Sequence, residues 1–347
     1  MQDILTNREK EILKYVVENF IRYATPIGSR MLSKKTKLNL SSATIRNIMS
    51  DLGDKKLLHT PHTSAGRVPT DKGLRYYVDT LMNKENLKTK EIEFIKSQLE
   101  EIKNKITEED YLFKETSKIL GKISRQLSVV TQPLLNTGIF EKLELVQISS
   151  NKVLVVINLK SGFVKTIIME IDTEVTKPKL EYISSYLNEK LSGLTLKEIR
   201  ETYSERVGNI RTDEPELFQM FINSIDKIYH EEETGGNVYI GGTGEIITQP
   251  EFDDPKNFKN IIELTENKDL VVHIFHHLGG EDDTNVNISI GQENEDVLLK
   301  EYSIICTNYK IGDIKGKLGI IGPRRINYAK MVSLLEYTSK LFSEIFS

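Results

Sequence analysis

One cysteine, Cys306, occurs in 347 residues. That excludes a disulfide framework within the chain, and a buried, reduced thiol acting as a small hydrophobe is the expectation. No apolar run approaches the roughly 18 residues that a membrane-spanning helix needs, so no membrane partner is expected. The opening "MQDILTNREKEIL" has acidic residues early and no apolar segment followed by a small-residue cleavage site, which points to a chain that stays in the cytoplasm. Signatures of catalysis are equally scarce. The glycine-rich "GGTGE" lacks the Lys-Ser/Thr that completes a phosphate-binding loop and reads as a turn. His273, His276 and His277 sit in what reads as a strand end, and no motif supplies a Cys or carboxylate partner, so no metal site is expected. Ser64 and His62 have no third, orienting acid. No catalytic residue and no cofactor are therefore expected, and the chain does not read as an enzyme.

What is present is an ordinary mixture of 38% apolar and 28% charged residues, over a length that suits two or three domains. The charge is unevenly spread. Residues 1–82 carry 14 Lys/Arg against 8 Asp/Glu, a net of +6, whereas the remainder carries 33 against 43, a net of −10. A basic head on an acidic body is the electrostatic footprint of a polyanion partner.

The head also has a pattern. In "LTNREKEILKYVVENFIRY", Ile12, Leu13, Val16, Val17 and Phe20 recur at helical spacing, and Thr6 with Glu9 three residues on forms a capping box. "ATPIGS" punctuates the chain, "SRMLSKKTKL" gives a second helix with Met31 and Leu32 inward, and "SATIRNIMSDLGDKKLL" a third, capped by Ser41 or Ser42. At 100° per residue the third helix turns Ile45, Ile48, Met49 and Leu52 to one side and Ala43, Arg46, Asn47 and Ser50 to the other. Arg pairs bidentately with guanine, Asn with adenine, and Ala meets a thymine methyl. Beyond it, a short strand, a loop and a return strand lead into a helix starting near Thr70. The loop holds His62, Thr63, Ser64, Gly66 and Arg67, a set suited to phosphates and to close backbone approach at Gly66. Together these features describe a winged helix-turn-helix.

The stretch "SSATIRNIMSDLGDKKLLHTPHTSAGRVPTDKGLRYYVD" resembles the heat-inducible transcription repressor family HrcA, and so do "LNEKLSGLTLKEI", "VYIGGTGEIITQPEF", "ISIGQEN" and "GKLGIIGPRRINYAKMV". The resemblance covers essentially the whole chain, and is weakest over about 84–142 and 200–235. Two departures stand out. Ile326 replaces the family's usual Met, and Gly53 occupies a stretch the family tends to fill with acidic helix formers, so the third helix is expected to end early or fray. The resemblance implies an N-terminal winged helix, a GAF-like α/β domain and an inserted α+β dimerisation domain. It also implies an inverted-repeat operator of the CIRCE type upstream of chaperone operons, a homodimer, chaperonin as a partner that maintains activity, and loss of activity on heating.

The rest of the chain can be divided accordingly. Residues 83–130 read as one long helix or a pair, with Ile92, Ile95, Leu99, Ile102 and Ile106 at helical spacing. Residues 143–171 read as a three-stranded antiparallel meander, followed by helices at 177–192, 195–206 and 214–231 and a seam near Gly235. The last third alternates short apolar segments, among them "DLVVHIFHHL" as a strand, with "DPKNFKNIIELT" and a terminal helix from about 326 to 345. "GPRR" could meet an anion, though Arg324 and Arg325 read as a solvated turn before that helix. The expected fold class is multidomain α+β. Its domains are 1–82 (winged helix), 83–142 with 236–347 (GAF-like) and 143–235 (inserted dimerisation domain). The functional expectation is a DNA-binding repressor of heat-shock operons with double-stranded DNA, itself and chaperonin as partners. Base edges would be read by Arg46 and Asn47, and phosphates or the minor groove would be met by Ser41, Ser42, Thr44, His62, Thr63, Ser64 and Arg67. The alternative is a ligand-sensing regulator that uses the GAF-like domain.

Overall fold

Helix α1 (Asn7–Tyr23) starts where the sequence places it. The Glu9 N–H donates to Thr6 Oγ1 at 3.3 Å, and the Thr6 N–H donates back to Glu9 Oε2 at 2.7 Å. Its apolar stripe, Ile12, Leu13, Val16 and Val17, is fully buried. The computed structural model describes residues 5–35, 40–61, 66–105, 109–171, 176–207, 215–233, 237–278 and 286–346. Helices α2 (Ser29–Lys35) and α3 (Ser42–Asp54) pack on α1, with Leu32, Ile45, Met49 and Leu52 at the centre. Helix α3 ends at Asp54, short of the predicted Leu58 and one residue past Gly53. Lys56 adopts a left-handed φ of 60°, and Leu57 and Leu58 then turn into the core. Strands β1 (Leu58–His59) and β2 (Val68–Pro69) pair antiparallel, Leu58 opposite Pro69. Ile27 bridges to Arg67 as a third extended segment. Thr70 then caps α4 (Asp71–Tyr76), which runs into a π-helical turn over Tyr77–Leu81.

Helices α5 (Thr89–Lys105) and α6 (Glu109–Ser124) form the expected pair, but the helical reading runs too far. Arg125 is left-handed at φ 55° and breaks the chain out of α6, and Leu127–Thr131 is strand β3, buried at every position. The meander is β4 (Phe140–Ser149), β5 (Lys152–Leu159) and β6 (Val164–Glu170), antiparallel in the order β4-β5-β6. Alternation in β5 sends Val153, Val155, Ile157 and Leu159 inward, toward the layer formed by α7 (Lys177–Leu191), α8 (Leu196–Val207) and α9 (Pro215–Glu233). The edge-to-face pair of Phe140 and Phe221 belongs to this core.

The chain rejoins the body at β7 (Val238–Gly241), passes through α10 (Thr243–Ile246), α11 (Pro255–Glu266) and α12 (Lys268–His277), and closes with β8 (Asn287–Ile290), β9 (Tyr302–Ile311), β10 (Ile314–Pro323) and α13 (Tyr328–Phe346). Five strands form one antiparallel sheet in the order β7-β3-β10-β9-β8. Strand β7 pairs directly with β3, Tyr239 opposite Val130, so the meander and its helices are an excursion between two neighbouring strands. The sheet buries both faces. Val130, Ile305, Tyr309, Leu318 and Ile320 belong to the core that includes α13, while Val129, Ile304, Cys306 and Ile321 belong to the one that includes α11 and α12.

"DLVVHIFHHL" is a helix rather than the predicted strand. Asn267 caps its start, accepting the Leu270 N–H at 3.0 Å, and the Lys317 ammonium donates to the carbonyls of Phe275 and Leu278 at its end. A cation at a helix C-terminus is favourable, and Val271, Val272, Ile274, Phe275 and Leu278 recur at the spacing of one helix face, with Asp269 and His273 exposed, a period the strand reading passed over. The chain is thus α+β, with three separate sheets among the described residues.

Candidate nucleic-acid interface

The interface begins at the first turn of α3. Ser41 holds the N-cap position and its hydroxyl accepts the Thr44 N–H at 3.1 Å, with Thr44 Oγ1 only 2.9 Å away. The Ser42 hydroxyl lies 3.0 Å from that of buried Ser29, which sets the start of α2 against the start of α3. Ser41 and Ser42 are therefore both used in holding the helix. The first turn of α3 contains no acidic side chain, so the partial positive charge of its amides faces outward uncompensated.

The faces of α3 resolve as the spacing predicts, with one adjustment. Ile45, Met49 and Leu52 are buried and Ile48 is half-buried, while Ala43, Arg46, Asn47 and Ser50 are exposed. A guanidinium and a carboxamide stand side by side on the N-terminal half of an uncovered helix. Both groups form bidentate pairs with base edges, and the major groove of B-DNA is wide enough to admit a helix. From the far end of α3, Lys55 pairs with Glu9 at 2.8 Å. Burial raises the Glu9 carboxyl, but the Lys55 ammonium and the Thr6 donors outweigh it and hold the group below its ordinary value.

The loop between β1 and β2 is the second part. His62, Thr63 and Ser64 lie outside the described residues. Arg67 is described: its N–H donates to the Ile27 carbonyl at 2.9 Å, its carbonyl accepts the Ile27 N–H at 2.8 Å, and its side chain is half-exposed. Gly66 is buried, and a Cβ there would sit 2.8 Å from Pro26 Cβ. The close backbone approach predicted at Gly66 is thus internal, to Pro26 and Ile27.

Sequence reasoning missed a further charged set. Arg324 and Arg325 do form the turn before α13, but their side chains are engaged in ion pairs rather than merely solvated. Arg324 pairs with Asp71 of α4 and with Glu301, and Arg325 with Glu251. The local signal was the "GPRR" motif, but partners up to 253 positions away leave no periodic trace.

Elsewhere the glycine pair of "GGTGE" serves packing. A Cβ on Gly121 would lie 2.5 Å from Gly242 Cα, so α6 approaches the end of β7 through glycines on both sides. His273 lies on α12 rather than at a strand end, and the side chains of His276 and His277 lie outside the described set. Among the described residues no three His, Cys, Asp or Glu side chains are placed to hold a metal ion. Cys306 is buried, and burial pushes its thiol up to about 11. No described helix is long and apolar enough to cross a membrane.

The profile described as "HrcA protein C terminal domain" matches residues 110–332. The heat-inducible transcription repressor HrcA of Chlorobium phaeobacteroides (strain BS1) is 37% identical over 348 residues, covering 99% of both chains. That of Prosthecochloris aestuarii is 38% identical over 348 residues, covering 99% of this chain and 98% of its own. The crystal structure of a hypothetical protein, 21% identical, covers 99% of both chains with a TM-score of 0.59 and shares the fold. Relatives of this kind are regulators of transcription, not enzymes. The chain belongs to the HrcA family of heat-inducible transcription repressors.

Proposed function

We propose that the chain is a sequence-specific repressor that binds an inverted-repeat operator of the CIRCE type as a homodimer in the cytoplasm. Residues 1–82 act as a winged-helix head, with α3 in the major groove and the β1–β2 loop as the wing. Arg46 and Asn47 read base edges. Ser41, Ser42, Thr44, Arg67 and the loop residues His62, Thr63 and Ser64 position phosphates or reach the minor groove. The observation that carries this reading is the exposed Ala43, Arg46, Asn47 and Ser50 stripe, set on a basic head at the acid-free end of α3.

Residues 83–142 with 236–347 form the GAF-like domain in this reading, and 143–235 the inserted dimerisation domain. The outer face of the meander supports a dimer. Val146 (47% exposed) and Ile168 (55%) flank Leu154 in one row across β4, β5 and β6, and Ile148 and Val164 extend the apolar patch. An apolar patch of this kind on an antiparallel sheet marks a protein-binding surface. A two-fold dimer presents two copies of α3, which is the symmetry an inverted repeat requires. Heat lowers the folded population of a marginally stable dimer over a narrow range, and chaperonin restores it.

A second reading, a ligand-sensing regulator, is favoured by one feature. A cleft of about 330 Å³ beneath α12, lined by Leu270, His273, Ile274 and Leu299, has Glu293 on its wall, and Glu293 also grips Arg75 of the head.

Binding of the purified protein to an inverted-repeat operator and to a scrambled duplex, across a salt series, tests the main reading. Tight operator binding with a linear dependence of log affinity on log salt, against weak binding to the scramble, is the expected result. Equal and weak binding to both by a folded dimer would refute it.

A further inference from the structure

We propose that Arg324 and Arg325 are positioning residues for operator binding: they clasp the head onto the five-stranded sheet and fix the direction in which α3 is presented. The inference rests on the repressor reading above and adds to it a part of the molecule outside the winged-helix head.

The clasp has three points. At the first, Arg324 Nη1 donates to Asp71 Oδ1 at 2.9 Å and its Nη2 to Glu301 Oε2 at 2.7 Å, so one guanidinium joins the start of α4 to the body. The other Asp71 oxygen accepts the Gln292 N–H at 3.0 Å, and a Cβ on Gly291 would overlap that carboxylate. Gly291, at φ 54°, is a seat shaped for Asp71. At the second point, one turn along α4, Arg75 grips Glu293 through two nitrogens and donates to the Ile288 carbonyl at 2.6 Å. Burial opposes the charge on Arg75, but its bonds to Glu293 outweigh that and hold the guanidinium protonated more firmly than usual. At the third, Arg325 grips Glu251 through two nitrogens and donates to the Ile21 carbonyl in the last turn of α1 at 3.3 Å. Its side chain is only 15% exposed.

Isolated surface ion pairs contribute little, but this set differs in kind. Two bidentate arginine–carboxylate pairs carry directional information as well as attraction: Arg75–Glu293 spans head and body, and Arg325–Glu251, within the body, aims the Arg325 guanidinium at the Ile21 carbonyl. All three join α1 or α4 of the head to the sheet or to the segments beside it. Between the points lies a cleft of about 190 Å³, lined by Phe20, His59, Pro69, Phe252 and Tyr302. The polar contacts thus surround an incompletely filled cleft on one side of the junction, while one hydrophobic cluster holds Leu74 and Tyr77 of the head together with Tyr328 and Met331 of α13. The ion pairs set the angle on the cleft side, where the packing leaves room for the head to reorient.

The clasp does not mask the recognition face, because Ala43, Arg46, Asn47 and Ser50 are exposed while it is closed. Its role is then orientation. In a dimer the two heads must reach half-sites separated by a fixed number of helical turns, and a head that swivels loses most of the advantage of its tethered partner. The "PTDKGLRYY" motif, which follows the wing in sequence, is accordingly a docking element for the body rather than a DNA contact.

The test uses the full-length dimer with Arg324→Gln/Arg325→Gln, with the body-side variant Glu251→Gln/Glu301→Gln, and with the conservative Arg324→Lys. Each is measured on the complete inverted repeat and on a duplex carrying one half-site. Spin labels on Glu11→Cys and Lys259→Cys, in dimers diluted with unlabelled chains, report the head-to-body distance; both positions are exposed, whereas the native Cys306 is buried. The two double variants should broaden the distance distribution and weaken binding to the inverted repeat by about tenfold or more, with half-site affinity unchanged and Arg324→Lys intermediate. An unchanged distribution, unchanged or tighter operator binding, or an equal loss on the half-site would overturn the inference. Failure of the wild type to prefer the operator over a scrambled duplex would instead overturn the repressor reading, and this inference with it.

Discussion

Gly319→Ala should couple strongly to Phe275→Ala, because α12 packs its phenylalanine into the space where strand β10 lacks a side chain. Phe275 is fully buried, and a Cβ on Gly319 would overlap its ring. The ring cannot easily move, since α12 is held by Asn267 at one end and by Lys317 at the other. Overpacking of this kind costs about 1–3 kcal/mol, and the fixed helix puts Gly319→Ala near 3 kcal/mol. Phe275→Ala, which opens a cavity, should cost about 3–5 kcal/mol. In the Phe275→Ala background the alanine methyl enters vacated space, so Gly319→Ala costs roughly nothing there, or stabilises by up to about 1 kcal/mol through reduced backbone entropy. The coupling energy is then about 3 kcal/mol. Calorimetry and urea unfolding of the four proteins would measure it, and at about 2–4 °C per kcal/mol Gly319→Ala alone should lower Tm by roughly 6–12 °C. Additivity within about 0.5 kcal/mol would refute the packing of α12 on β10.

Three other outcomes are expected. Ser41→Ala removes the α3 cap and should cost the head about 1 kcal/mol in urea unfolding, whereas Ser41→Asp keeps the cap but should weaken binding to every DNA sequence by repelling phosphates. Glu9→Gln should destabilise the head at neutral pH, where the lowered carboxyl is ionised and paired with Lys55. Because the folded-state value lies below the ordinary 4.5, this contribution is fully present above about pH 4.5 and is lost as pH falls through the lowered value, so the two proteins should converge in acid. Ile168→Glu places a charge in the exposed row beside Leu154 and Val146 and, if the proposed dimer forms through this face, should convert it to monomer in sedimentation, with the far-UV circular dichroism unchanged.

Local signals in the sequence carried the parts of the structure that local interactions decide. The Thr6–Glu9 capping box, the inward Ile45, Met49 and Leu52, and the β-branched alternation of β5 each span a few residues, and each is where the pattern placed it. Two misreadings concern short apolar runs. "LSVVT" is buried at every position and is a strand, whereas "DLVVHIFHHL" buries Val271, Val272, Ile274 and Phe275 but exposes Asp269 and His273, the one-sided pattern of a helix; Arg125 in a left-handed conformation and Asn267 as a cap mark the two boundaries. Pairings between distant segments were not legible at all. Strand β3 meets β7 across the whole meander unit, and Arg324 meets Asp71 across most of the chain. Of the candidate site, the stripe on α3 was readable because one helix carries it. Arg67 and Gly66 were recognised as loop residues, but their backbone engagement with Pro26 and Ile27 depends on tertiary contact.

The central claim is that Arg46 and Asn47 read bases. It is tested most directly by measuring Arg46→Ala and Asn47→Ala against a set of operators that differ from one another by single base pairs. The account predicts that each variant loses about 1–3 kcal/mol on the parent operator, becomes indifferent to the base at one position of each half-site, and keeps wild-type affinity for a scrambled duplex. Equal losses on operator and scramble, with no position relaxed, would contradict it and leave these residues as phosphate contacts or none.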